Sequence, residues 1–120
     1  MKIAISASGA DLNSQVDPRF GRAARFILFD TEKQTFSVVD NTKNLNAAQG
    51  AGIQSAENVS RSGAKVVITG HCGPKAFRAL QAANVQVVVG ASGAVSDAIE
   101  QFRSGKLKTA ESADVEGHWS

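Results

Sequence analysis

The stretch Val66-Val67-Ile68-Thr69-Gly70-His71-Cys72-Gly73-Pro74-Lys75 decides the fold. The β-branched run from Ala64 to Thr69 reads as a strand covered on both faces. Gly70 and Gly73 end it, and Pro74 stands where its fixed φ suits the first position of a helix. A strand, a tight turn and a helix N-terminus follow one another. Such a junction offers backbone N–H groups and the positive end of a helix dipole to an anion. Here it also carries an imidazole and the only thiol of the chain.

The same unit recurs downstream. Val85 to Val89 is a second continuous apolar run, Gly90-Ala91-Ser92-Gly93 turns the chain, and Ala94 to Arg103 places Val95, Ala98, Ile99 and Phe102 at helical spacing. Between the two units, Pro74 to Ala83 forms a helix with Ala76, Phe77, Leu80 and Ala83 on one face. Upstream, a helix opens at Gly50-Ala51-Gly52, carries Ala51, Ile53, Ala56 and Val59 inward and stops at Ser62-Gly63. Before it lie three strands, Lys2 to Ala7, Arg25 to Asp30 and Thr35 to Asp40. Thr31 to Gln34 has hairpin length, so the last two pair antiparallel. The order β-β-β-α-β-α-β-α predicts an α/β fold with a mixed five-stranded sheet and flanking helices. Two irregular stretches remain, a long loop from Ser8 to Arg22 and a polar linker from Asn41 to Gln49. Long loops in compact domains often bind something.

With 120 residues, 42% of them hydrophobic, the chain can bury a core as one domain. That domain spans residues 1–105, and residues 106–120 form a loosely held tail that ends near His118-Trp119. One cysteine excludes an internal disulfide and a four-cysteine metal site. The opening run is too short for a signal peptide, and no stretch approaches the ~20 apolar residues of a membrane span, so a cytoplasmic protein without a membrane partner is expected. A net charge of +2 is too small to argue for nucleic acid, and a monomer is the simple expectation.

The strands ending at Ala7, Thr69 and Val89 all run into glycine-containing turns, which places those turns on one edge of the sheet, where ligands of open α/β sheets bind. Small residues and helix N-termini there select an anionic guest. Gly70, His71, Cys72, Gly73, Lys75, Gly90, Ala91, Ser92 and Gly93 come from two of these turns. Arg19, Phe20, Gly21 and Arg22 form either a solvated basic loop or a pair of guanidinium groups closing over an anion with Phe20 as an apolar wall, and Asn41, Asn44, Asn46 and Gln49 of the linker can line the same mouth. Lys75 and Arg78 sit in the first turns of a helix, where a cation opposes the dipole unless an anion is near. Cys72 is open to three readings: a small core residue, a soft-metal ligand together with His71, or a nucleophile. The third arises because His71-Cys72-x5-Arg78 satisfies the pattern of cysteine-dependent phosphatases. Pro74 weighs against it, since it has no N–H to give to a phosphate cradle. A protein-interaction module is the remaining alternative.

Val16-Asp17-Pro18-Arg19-Phe20-Gly21-Arg22-Ala23, Ile68-Thr69-Gly70, Gly73-Pro74-Lys75-Ala76-Phe77-Arg78-Ala79-Leu80 and Val115-Glu116-Gly117-His118-Trp119 resemble the dinitrogenase iron–molybdenum cofactor family, which includes NifX and the C-terminal part of NifB. The resemblance spans nearly the whole chain. It implies a ribonuclease H-like fold and a non-catalytic protein that binds and carries or protects an anionic metal–sulfur cluster. The cluster it implies is of the molybdenum–copper sulfide type carried by a small stand-alone member without ordinary covalent ligation, or alternatively the iron–molybdenum cofactor or a precursor. A cluster-donor or acceptor protein is the partner such a role requires. Some cofactor-carrying relatives have His-Phe-Gly where this chain has Arg19-Phe20-Gly21, which exchanges a candidate ligand for a cation and fits an ion-paired guest. Nucleases of the same fold need carboxylates converging on the sheet. Neither Lys2 to Ala7 nor Ala64 to Thr69 has any, so a nuclease is rejected.

Overall fold

The computed structural model describes residues 1–45, 50–107 and 109–110, with the side chains of Asn44 and Leu45 left out. Its elements are β1 (Lys2–Ala7), β2 (Arg25–Asp30), β3 (Thr35–Asp40), α1 (Thr42–Leu45), α2 (Ala51–Arg61), β4 (Val66–Ile68), α3 (Pro74–Ala82), β5 (Gln86–Val88) and α4 (Val95–Arg103). The sheet has the order β3-β2-β1-β4-β5. β1 pairs antiparallel with β2 and parallel with β4, β2 pairs antiparallel with β3, and β4 pairs parallel with β5. The expected mixed five-stranded sheet with flanking helices is therefore present. One short helix, α1, lies in the segment read as a linker, and the two buried strands are shorter than their apolar runs.

The period of two in each strand divides the core. Ala4, Phe26, Leu28, Val67 and Val87 face Ala56 and Val59 of α2 and Ala76, Phe77 and Leu80 of α3. Ile3, Ile5, Ile27, Phe29, Val66, Ile68 and Val88 face Val95, Ala98 and Ile99 of α4. β4 supplies both faces, which is why it reads as unbroken hydrophobic sequence. Ile53, expected inward, is 39% exposed, because α2 sits on the sheet through Ala51, Gly52, Ser55, Ala56 and Val59. Small residues there bring the helix close and rotate Ile53 out of the contact. Ala83 is likewise exposed, being past the last turn of α3.

The stretch read as a loose tail starts with a defined contact. Val88 and Thr109 form an antiparallel bridge, and Ala110 N–H donates to the Val87 carbonyl. This covers part of the β5 edge. The His118-Trp119 pair lies outside the described residues. No helix among the described residues is long and apolar enough to cross a membrane.

Candidate functional site

β3 is antiparallel to β2, as β1 is, so β1, β3, β4 and β5 all end on the same edge. α2, α3 and α4 each begin there. Their N-caps are Gly50, Gly73 and Ala94, and none makes a side-chain cap. α2 and α3 also lack an acidic residue in the first turn. Helix starts without caps or carboxylates leave the positive end of the dipole uncompensated. At α4 the loop answers this itself, with Val95 N–H donating to the Ser14 carbonyl and Ser96 N–H to that of Leu12.

The long loop is held to all three turns by main-chain hydrogen bonds. Asp17 N–H donates to the Ser6 carbonyl at 2.8 Å, His71 N–H to the Pro18 carbonyl at 2.8 Å, Phe20 N–H to the His71 carbonyl at 3.2 Å, and Val16 N–H to the Gly93 carbonyl at 2.8 Å. Arg19 and His71 thus form a parallel bridge. Gly90 N–H donates to the Gly70 carbonyl at 2.9 Å, which sets the two βα turns side by side. The contact explains why Gly70 is glycine: a Cβ there would meet Pro18 Cα and its carbonyl oxygen at 2.8 Å.

Buried polar side chains fix the same loop from below. Ser6 Oγ lies 2.7 Å from the Asp17 carbonyl and 2.8 Å from Thr69 Oγ1; with its one proton given to the carbonyl, it accepts from Thr69. Asn41 Nδ2 donates to the Ala23 carbonyl at 2.8 Å and to Ser55 Oγ at 2.9 Å, Ser55 Oγ donates to the Gly21 carbonyl at 3.0 Å, and Asn58 Nδ2 donates to Asn41 Oδ1 at 2.9 Å. Each group is satisfied, as burial demands. Sequence reasoning offers Asn41 as a lining residue of the mouth, whereas it is buried beneath the loop, and it misses Ser6, Ser55 and Thr69. A Ser within the apolar strand β1 was the available signal.

The sequence-derived site residues divide by burial. Arg19, Lys75, Gly90, Ser92 and Gly93 are exposed, and Arg22 and His71 are half-buried. Gly21, Gly70, Gly73 and Ala91 are buried and shape the backbone beneath them. Two expectations need correction. Phe20 is wholly buried, its ring 5.2 Å from that of Phe26, so it anchors the arginine loop instead of walling a guest. Cys72 is also wholly buried, in the core beneath α2 and α3, with its Sγ 3.7 Å from the Gly73 carbonyl oxygen. A thiol enclosed by apolar neighbours offers no open face to a metal in this conformation. The same burial removes the phosphatase alternative, because a nucleophile must reach its ester. Arg78, its supposed partner, is exposed on α3. Asn44 contributes only its α1 backbone to the description, and Gln49 lies outside the described residues.

What remains at the surface is cationic and has few ligands. Among the described residues no three His, Cys, Asp or Glu side chains converge on a metal position. Asp17 accepts the Arg19 N–H at 3.0 Å and so shapes the loop. The carboxyl groups held below their usual range lie at strand ends: Asp40 chiefly through the Thr42 N–H, and Asp30 chiefly through the Lys33 N–H. A cleft of about 540 Å³ opens at the other end of the sheet between α3 and β5. It is lined by Phe77, Gln81, Asn84 and Gln86 among others, with no charged side chain, so it does not share the chemistry of the basic edge.

An α/β domain whose βα turns meet at one sheet edge, matched over residues 1–105 by the family model described as dinitrogenase iron-molybdenum cofactor, belongs to that family. Its similarity to solved structures covers nearly the whole chain. The apo form of the orange protein from Desulfovibrio gigas is 40% identical over 95% of this chain and 96% of its own, with a TM-score of 0.93. A putative NifB protein from Thermotoga is 36% identical over 97% of this chain and 98% of its own, with a TM-score of 0.84. A putative dinitrogenase from Methanocaldococcus jannaschii, at 15% identity, 93% and 96% coverage and a TM-score of 0.68, shares the fold. Comparison with curated proteins gave no match.

Proposed function

We propose that the protein binds an anionic metal–sulfur cluster at the basic sheet edge and carries or protects it without turning it over. The observation that carries this reading is the pairing of Arg19 with His71 across the uncapped start of α3. It brings the Arg19 backbone beside the start of α3, at a position where, among the described residues, no three metal-ligating side chains converge. Such an edge suits a preassembled anion that brings its own sulfide ligands, and a bare metal ion would find too few donors. A molybdenum–copper sulfide cluster fits these demands, with the iron–molybdenum cofactor or a precursor as the alternative guest. The same reading takes the fold as ribonuclease H-like, the setting as cytoplasmic, and a cluster-donor or acceptor protein as the partner.

Arg19, Arg22 and Lys75 would hold the guest by charge, the Gly70 and Gly90 turns would let it approach the main chain, and Cys72 would serve only as packing. Incubating the apo protein with tetrathiomolybdate and copper(I) should give a protein-bound visible absorption band at stoichiometric metal. The Arg19→Ala, Arg22→Ala double variant should bind roughly tenfold more weakly, with a steeper loss at high salt, while Cys72→Ala should stay within about twofold. Absence of uptake by the folded apo protein would sink the proposal, and a Cys72→Ala variant that lost the band would move the guest into the core.

A further inference from the structure

We propose that β3 is a self-association edge, through which two copies of this chain pair antiparallel about Ser37 to continue the sheet. The inference is independent of the cluster-binding reading. The two edges of the sheet are treated differently: Thr109 and Ala110 lie against β5, whereas β3 pairs only with β2 among the described strands. Asn41 N–H donates to the Ala24 carbonyl directly opposite. The alternation of an antiparallel ladder then turns Thr35, Ser37 and Val39 toward β2 and leaves the N–H and C=O groups of Phe36, Val38 and Asp40 pointing outward. Apart from Asp40 at its end, β3 lacks, among the described residues, the usual protections of a free edge. Its register with β2 is unbroken by a bulge, and it contains no proline and no lysine. Phe36 and Val38 are instead 41% and 42% exposed.

A second copy is the occupant these residues fit. Pairing about Ser37 sets Phe36 opposite the second copy's Val38 and Val38 opposite its Phe36. Outward-facing groups meet outward-facing groups, giving about four main-chain hydrogen bonds and one apolar patch on the α4 side of the joined sheet. Charge agrees with this register. Lys33 lies just before the strand and Asp40 at its end, so antiparallel pairing brings each Lys33 toward the second copy's Asp40. Asp30 and Glu32 share the hairpin with Lys33, while Lys43 follows Asp40, so the opposed ends carry mixed and compensating charge. The net charge of +2 leaves little overall repulsion. A contact of one strand per copy is at the small end of specific interfaces, so the dimer should be weak and visible only as concentration rises.

Sedimentation equilibrium together with an amide NMR dilution series on the full chain tests this. The expected result is a mass that rises toward two chains, with shifts concentrated at Phe36, Val38 and Asp40. Val38→Lys should raise the dissociation constant at least tenfold while leaving the circular dichroism spectrum unchanged. Asp40→Lys should weaken association similarly, and adding Lys33→Asp should restore part of it, which a merely unfolded variant could not do. A wild-type chain that stays monomeric at millimolar concentration overturns the proposal. So does a dimer whose mass is indifferent to Val38→Lys, since that dimer uses another surface.

Discussion

Gly70 is the residue on which the arrangement of the site turns. It is buried at the end of β4, its carbonyl accepts from Gly90, and the main chain at Pro18 crosses where a side chain would begin. The obstacle is backbone, which cannot swing away as a flexible side chain could. Gly70→Ala should therefore cost about 1–3 kcal/mol through overpacking, read as a lowered urea midpoint at unchanged slope. An unchanged midpoint would mean that the loop simply lifts off the turn. Cys72 shows the complementary lesson. Its position after a strand and before a helix is visible in sequence, but whether a side chain in such a turn faces solvent or core depends on what lies above it. Here Phe20 and the neighbouring helices close over that space. A packing fact of this kind comes from residues distant in the chain, so the local pattern left the three readings of Cys72 open.

Elements were more legible than side-chain directions because their signals are local. The apolar runs, the glycine turns and Pro74 placed the strands and longer helices of the described chain, and the hairpin length of 31–34 paired β2 with β3. Less visible was the way α2 rests on small residues and turns Ile53 outward, since hydrophobic periodicity does not record how closely a helix can approach. α3 carries a functional prediction of its own. Lys75 is exposed in its first turn, opposed to the dipole, and Gly73 offers no cap. Lys75→Glu should stabilise the folded apo protein by about 0.3–1 kcal/mol while weakening uptake of an anionic cluster several-fold. Thermal unfolding and a metal-binding titration on the same preparation would show these opposed signs. A variant that gained stability and bound equally well would place the guest away from α3.

At the level of the whole molecule, both faces of β1, β2 and β4 are covered by the chain's own side chains, so the scaffold around the basic edge does not depend on a guest for its core. The edge itself was half legible: glycine turns after three strands identify it, but its assembly rests on long-range hydrogen bonds that no sequence window contains. Those bonds run from main chain to main chain, from Asp17, Pro18 and Phe20 to Ser6 and His71, and they are indifferent to the side chain carried at position 19. Arg19→His should accordingly leave stability within about 0.5 kcal/mol of wild type, as expected for an exposed substitution, while changing how strongly and which cluster is retained. Equilibrium unfolding beside a competition between clusters would measure both, and a collapse of the fold would refute it. Because mount and fitting are built from different atoms, the exposed side chains of this loop can be exchanged, one at a time, without re-solving the architecture that presents them.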